Sequence, residues 1–245
     1  MKPGIYVMML GIDGSGKSSV ATALRERLEA AGREVVDVGI NTMYSVAQSA
    51  TGPPWDSLRA ISDEGWRLYL REPPSQAAIL TSGLLELAAH YLIRAEVIGP
   101  ALERGAVAIS DSFCLKNIVR TLRQVQHMTG DLSPAADALL DGVRAALSAA
   151  YLQPDIGIFL DADPALTVRW RLAQRGRIDS YEDLTVAGHS GRDAFVKFNA
   201  MVAAELRDDA KKWGWEVLPV DGRPLASTVS AALDLVLKYP QPPRI

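Results

Sequence analysis

A short glycine-rich segment near the N-terminus constrains the fold more than any other feature of the sequence. Residues 11–18 read GIDGSGKS and match the pattern G-x-x-x-x-G-K-Ser/Thr. The segment follows a short apolar run and opens a helical pattern, which is the context in which this pattern binds phosphate. The backbone N–H groups of such a loop converge on phosphate oxygens, and the dipole of the following helix strengthens the attraction.

The residue types of this loop predict a nucleoside triphosphate and a divalent cation as its ligands. Lys17 would reach the outer phosphates, and the Ser18 hydroxyl would be a ligand of Mg²⁺. The sequence therefore predicts that ATP with Mg²⁺ is bound by Gly11, Gly14, Ser15, Gly16, Lys17, Ser18 and Ser19.

Asp13 is an unusual residue for a loop that holds polyanions, because its charge repels phosphate unless another partner faces it. One interpretation is an Asx-type turn residue without a ligand contact. The other is a carboxylate that hydrogen-bonds to a neutral hydroxyl, such as that of a sugar.

Apolar runs bounded by turn residues alternate with helical patterns along the whole chain, which is typical of a parallel sheet with crossover helices. We expect an α/β protein with the three-layer P-loop NTPase fold: a five-stranded parallel sheet flanked by helices, in a single domain over residues 1–245. The expected strands are Ile5–Leu10, Glu34–Val38, Ala106–Ser110, Asp155–Leu160 and Trp215–Val220. The expected helices are Lys17–Ala31, Gln76–Arg104, 113–127, 134–151, Pro164–Gln174, 193–213 and Leu225–Lys238.

Two segments do not follow this alternation. Residues 41–74 hold prolines, aromatic residues and mixed charge, and we interpret them as loop and short helix, inserted on the side of the phosphoryl acceptor. Their aromatic residues either stack on a base or pack in the core. Residues 175–192 are rich in charge and glycine, and we expect a mobile lid there.

Composition excludes several classes of protein. The formal net charge of −3 over 245 residues gives no basic excess of the kind that nucleic-acid surfaces show. The single cysteine, Cys114, excludes an intrachain disulfide framework and is expected to be a small buried residue. Since no run of about 20 apolar residues occurs, we expect no membrane association and a cytoplasmic protein.

Four stretches resemble those of the thymidylate kinase family, which makes dTDP from dTMP and ATP. They are the loop at 11–19, the run 97–105 that leads into Ile109–Asp111, the strand region 154–161, and the closing strand with its loop at 217–224. The resemblance implies that Asp13 contacts the acceptor's sugar and that Asp221 and Arg223 lie near adenine. It also implies a homodimer.

The resemblance gives the arginines before Asp179 a role at the lid. Arg169, Arg171, Arg175 and Arg177 occur there, and Arg175-Gly176 stands where the family has its lid arginine and glycine. Guanidinium groups of this kind stabilise the charge of a transferring phosphoryl group. Arg171 and Arg175 are four residues apart and could share a helix face. The alternative is a solvated, arginine-rich helix end.

The acceptor side departs from the family's pattern. The family has Asp-Arg-Tyr or Asp-Arg-Phe, whose arginine holds the acceptor's phosphate, whereas this chain has Asp111-Ser112-Phe113. Serine donates one neutral hydrogen bond and cannot replace a bidentate charged clamp. Lys116, one helical turn further on, either supplies the missing charge or is an exposed surface lysine.

Two further acceptor-side residues have alternative interpretations. Asp111, at the end of a buried strand, either orients Mg²⁺ waters or the attacking group, or is a helix N-cap. Ser112 and Phe113 are expected to face the acceptor. His90 stands in the segment that replaces the Asp-Arg pair with which the family reads thymine, and it either faces the acceptor as well or is a structural histidine.

These residues predict a kinase that transfers the ATP γ-phosphoryl group to a nucleoside monophosphate similar to dTMP. One alternative keeps the reaction but uses a hydroxyl of a nucleoside, sugar or specialised metabolite, with Asp111 as the base. Another is a nucleotide-binding protein without catalytic activity.

Overall fold

The computed structural model describes residues 4–112 and 114–239. Among these residues, five parallel strands form one sheet: β1 Ile5–Leu10, β2 Val35–Asp37, β3 Val107–Ser110, β4 Ile156–Ala162 and β5 Glu216–Val220. The strand order is β2-β3-β1-β4-β5, with Ile5 of β1 opposite Val107 and Val7 opposite Ile156. This is the predicted α/β fold with a five-stranded parallel sheet, and it is consistent with a P-loop NTPase.

Helices cover both faces of the sheet. In chain order they are α1 Lys17–Ala30, α2 Ile40–Ser49, α3 Trp55–Tyr69, α4 Gln76–Ile93, α5 Gly99–Glu103, α6 Cys114–His127, α7 Ser133–Leu147, α8 Pro164–Arg175, α9 Arg192–Lys212 and α10 Leu225–Lys238. A π-helical turn at Arg94–Ile98 joins α4 to α5, and a 3-10 turn at Thr185–Ala187 precedes α9.

The central strand β1 is buried along its whole length because both of its faces are covered. Side chains alternate along a strand, so Tyr6 and Met8 enter one apolar cluster while Ile5 and Val7 enter the other. α1 and α10 pack on the second cluster, and α6, α7 and α9 pack on the first. The sheet is therefore the middle of three layers, and the carboxyl end of β1 delivers the phosphate loop.

The prediction of loop and short helix for residues 41–74 is wrong. The segment contains most of α2 and the fifteen-residue helix α3, which packs on α4. The predicted lid is anchored at its centre, where Leu184 is buried in the core and pairs with His189 in a short bridge. Cys114 is buried, as predicted.

Among the described residues, the helical stretch Gln76–Glu103 has the length and apolar composition of a membrane-spanning helix. About 44% of its apolar window is buried inside the protein, and α4 packs between α3 and α6. It is therefore a core helix of this fold.

Candidate active site

The loop between β1 and α1 has the backbone shape that its glycines allow. Gly14 and Gly16 have φ angles of 78° and 90°, which side chains other than glycine rarely adopt. Gly14 also lies so close to α8 that an added Cβ would approach the Thr167 carbonyl oxygen to 3.1 Å. The buried Ser15 hydroxyl has no hydrogen-bond partner in the part of the chain that the structure describes.

Lys17 and Ser18 are the first residues of α1, and their side chains have different hydrogen-bond partners. Lys17 donates from Nζ to the Ile12 carbonyl oxygen at 2.9 Å, and burial, followed by the charge of Lys116, lowers its pKa to about 8. The Ser18 hydroxyl donates to Oδ2 of Asp111, the residue that follows β3. The oxygen ligands that Mg²⁺ prefers are thus brought together.

This pair fits a Mg²⁺ ion that is shared with a nucleotide. In residues 4–112 and 114–239, no cluster of three or more His, Cys, Asp or Glu side chains is arranged to hold a metal. Mg²⁺ in kinase sites takes few protein ligands and is completed by phosphate and water oxygens. Ser18 and Asp111 provide two oxygen ligands of the kind that such a site uses.

Asp13 lies between two cations of α6. Its carboxylate accepts from Lys116 Nζ at 2.7 Å and from Arg120 Nη1 at 3.3 Å. Burial alone would raise the pKa of Asp13, but Lys116, Arg120 and Lys17 outweigh it and hold that pKa well below its usual range. The surface-lysine interpretation of Lys116 is wrong, because its side chain is only 14% exposed.

Arg120 is a site residue that was not predicted from the sequence. It is buried, its Nε has no hydrogen-bond partner among the described residues, and its guanidinium lies over the Tyr181 ring at 5.4 Å from the centroid. The available signal was spacing, since Arg120 follows Lys116 by four residues, and residues four apart within α6 lie on one helix face.

The lid arginines are held by carboxylates of the lid itself. Arg171 pairs with the buried Glu182 at 2.6 Å, and Arg175 pairs with Asp179 at 2.9 Å. Arg177 also pairs with Asp179. Arg171 and Arg175 both face the same cavity as the phosphate loop, so their spacing does place them on one face.

That cavity has a volume of about 560 Å³ and is walled by the loop, the lid, α3, α4 and α6, a size typical of ligand pockets. Of the residues selected from the sequence, it is lined by Asp13, Gly14, Gly16, Lys17, Ser18, Ser19, Asp111, Ser112, Lys116, Arg171 and Arg175. Trp66 and Tyr69 of α3 also line it.

Other selected residues lie elsewhere. His90 is buried on α4, hydrogen-bonds to the Leu152 backbone and has a pKa lowered to about 4 by burial. These contacts support the interpretation of His90 as a structural histidine that does not face the acceptor. Arg169 is exposed, and Asp221 and Arg223 form an exposed ion pair of 2.9 Å after β5. Phe113 lies outside the described residues.

The cavity is chemically suited to phosphates. Lys17, Lys116, Arg120 and Arg171 converge on it, and each of the last three is neutralised by a carboxylate of the chain. Because a buried cation without a partner is costly, a ligand that displaces these carboxylates from the cations must itself be anionic.

Known proteins relate the chain to one family. No family model matches it, but a thymidylate kinase of Ruegeria pomeroyi is 30% identical over 241 residues, which is 96% of each chain. The thymidylate kinase of Xylella fastidiosa is 28% identical over 96% of this chain and 88% of its own. That of Shewanella amazonensis is 26% identical over 85% of this chain and 86% of its own. With this coverage, a five-stranded parallel sheet and a complete phosphate loop, the chain belongs to the thymidylate kinase family.

Proposed function

We propose that this chain is an ATP- and Mg²⁺-dependent P-loop kinase that transfers the γ-phosphoryl group of ATP to a nucleoside monophosphate, with dTMP as the reference acceptor. The observation that carries the proposal is the single cavity in which the phosphate loop, the lid arginines and the α6 cations meet. The kinase unit spans residues 1–245, with its lid at about 175–192 and an acceptor-side segment at about 41–74.

On the ATP side, each residue has an electrostatic or positioning role. Lys17 and the arginines Arg171 and Arg175 neutralise charge on the transferring group, since phosphoryl transfer needs mainly positioning and electrostatic stabilisation. Ser18 and Asp111 would hold Mg²⁺, which when bound neutralises the charge of the β- and γ-phosphates. The exposed Arg169, Asp221 and Arg223 would contact the nucleotide from outside the cavity wall.

On the acceptor side, Lys116 and Arg120 take the place of the family's missing phosphate-binding arginine, beside Ser112. The acceptor's phosphate brings the negative charge that Asp13 now supplies to them at 2.7 and 3.3 Å. Asp13 is thereby freed to hydrogen-bond to a hydroxyl of the acceptor.

Release of ADP by the purified chain with ATP, Mg²⁺ and a panel of acceptors tests the reaction. The panel holds dTMP, dUMP, other monophosphates, nucleosides and simple sugars, and Lys17→Ala is the blank. We expect turnover with at least one monophosphate and a loss of about 10²-fold or more in Lys17→Ala, the scale of losing one preorganised charge-stabilising donor. ATP binding without ADP release for any acceptor would instead indicate a nucleotide-binding protein without catalytic activity.

The variants Lys116→Met and Arg120→Met test whether these two residues bind the acceptor's phosphate. Each should raise the KM for the monophosphate about tenfold or more, because one charged hydrogen bond to phosphate is lost, and leave the KM for ATP nearly unchanged. Lys211→Met removes an exposed lysine on α9 and is the matched control. An unchanged acceptor KM in both variants would remove these residues from the site.

A second candidate uses the same ATP site and an uncharged hydroxyl as the acceptor. It is favoured by one observation, that Asp13 already neutralises Lys116 and Arg120. Asp111 would then be the base for that hydroxyl. Phosphorylation of a nucleoside or a sugar, and of no monophosphate, would select this candidate.

We further propose a cytoplasmic homodimer. Leu84 and Tyr91 lie seven residues apart on α4 and are 37% and 42% exposed, and the Tyr91 ring stacks on the exposed Tyr151. Exposed apolar side chains that share a helix face are a feature of interaction surfaces. A molar mass near 26.5 kDa by light scattering would show a monomer and contradict the dimer.

A further inference from the structure

Part of the cavity wall has no role in the function proposed above. It is formed by Trp66 of α3, Ser82 and Glu86 of α4, and Asn117 of α6. A ligand bound at the phosphate loop would extend past the α6 cations toward this wall. The part of the ligand furthest from the transferred phosphoryl group would then contact the wall.

Glu86 is the acid of this wall. It is partly buried, and the Asn117 side chain hydrogen-bonds to its carboxyl group. Burial raises the pKa of Glu86 against the opposing effects of Asn117, Arg120 and Lys116. Lys116 and Arg120 form their ion pairs with Asp13 and not with Glu86.

A carboxylate has about four acceptor positions, so one bond from Asn117 leaves Glu86 with acceptor capacity that lines the cavity. Donors supplied by a ligand would favour the charged carboxylate and offset its burial. The wall is therefore complementary to a group that carries N–H donors.

Nucleobases differ in this property. Guanine presents its ring N–H beside an amino group, and cytosine and adenine each present an amino group; Glu and Asp side chains accept from such donors. Thymine and uracil present one N–H between two carbonyl oxygens, which would face the carboxylate oxygens with repulsion.

We infer that the acceptor nucleotide carries an amino-bearing base, and that Glu86 with Asn117 selects it over thymine and uracil. The inference rests on the proposed function and replaces dTMP, the reference acceptor there, with a monophosphate of an amino-bearing base.

Trp66 suits a planar ligand on the same wall. Its indole is 42% exposed and packs edge-on against Tyr69 and Tyr181, with centroid distances of 6.3 and 5.6 Å. These contacts hold the ring in place, and stacking on an aromatic side chain accepts any base. Trp66 therefore adds affinity without choosing among bases, and the choice falls to Glu86.

Calorimetric titration of the full chain with dCMP, dGMP, dUMP and dTMP tests the inference without requiring turnover. The pair dCMP and dUMP differs only at the edge of the base. We expect dCMP or dGMP to bind at least about tenfold more tightly than dUMP or dTMP, the discrimination expected of a good base contact. Glu86→Gln should reduce this ratio several-fold. Glu96→Gln, at an exposed position beyond α4, should leave it unchanged.

Three results would overturn the inference: tighter or equal binding of dTMP or dUMP, no binding of either amino-bearing nucleotide, or a ratio that Glu86→Gln leaves unchanged. The proposed function is judged separately by ADP release. A Glu86-dependent preference without phosphoryl transfer would support the inference and contradict the kinase activity. If dTMP bound most tightly and was turned over, the inference would be contradicted and the kinase activity supported.

Discussion

The charge of Lys17 depends on its surroundings more than on its residue type. Its ammonium group is buried near Lys116 and is only partly compensated by Asp13 and Asp111, so its pKa falls to about 8 from the usual value of about 10.4. A phosphate ligand would restore the charged form, because an adjacent anion raises the pKa of an ammonium group.

The affinity for ATP should therefore fall as the pH rises above about 8. Below its pKa Lys17 is charged and attracts phosphate; above it the free protein must take up a proton to bind. From pH 7 to pH 9 the Kd of a non-hydrolysable ATP analogue should rise about tenfold, as the linkage of one proton requires. Calorimetry over this range is the measurement. Lys17→Arg, whose side chain stays charged, should lack the rise; an equal rise in this variant would assign the titration to another group.

The local sequence pattern predicted the phosphate loop, whereas the other site residues are placed by contacts between residues far apart in the sequence. The sequence placed Lys17 and Ser18 through the loop, and the structure puts both at the cavity. It could not show that Asp13 pairs with Lys116 and Arg120, because 103 and 107 positions separate the partners. His90 was selected by alignment with a family position, and its burial against the Leu152 backbone is a tertiary contact that alignment does not show.

At the scale of elements, α3 shows how the same residues can be misread. Prolines and aromatic residues in 41–74 indicated irregular structure, but Pro54 precedes the first residue of α3 and Pro73 follows its end, so neither interrupts it. Proline is tolerated at these positions and not in a helix interior. The helix then brings Trp66 to the cavity, which the loop interpretation could not place.

The lid is the second element that the sequence described only in part. Its arginines were predicted, but their partners were not: Arg171 is paired with Glu182, whose side chain is 1% exposed. This ion pair lies at the cavity and competes with any phosphate that Arg171 would bind.

Glu182→Gln should therefore increase the affinity for ATP several-fold and lower the stability of the free protein. The variant keeps a hydrogen-bond partner for Arg171 but removes the competing charge, and the loss of a buried pair costs stability. Calorimetry measures the first effect and thermal unfolding the second. Asp234→Asn, which breaks the exposed pair with Lys238, should change neither. Weaker ATP binding would mean that Glu182 positions Arg171 for the nucleotide.

At the scale of the whole molecule, a net charge of −3 means that phosphate cannot be attracted by a general positive field. The fold compensates by directing the carboxyl ends of β1 and β3, the end of α8 and one face of α6 at a single cavity. This arrangement depends on the three layers keeping their spacing, and the packing of Trp215 against β4 is a sensitive point of that spacing.

Gly157 and Gly142 offer the same substitution in two environments, and global unfolding should distinguish them. A Cβ at Gly157 would overlap the Trp215 indole, whereas one at Gly142 of α7 would meet nothing within 4 Å. Gly157→Ala should destabilise the protein by about 1–3 kcal/mol through overpacking. Gly142→Ala should stabilise it by about 0.5–1 kcal/mol, because alanine favours a helix interior. At about 2–4 °C per kcal/mol for a chain of this size, thermal unfolding resolves both signs. If Gly157→Ala left Tm unchanged, the indole could move away from β4 without cost, and the packing of Trp215 would not hold the layers that form the cavity.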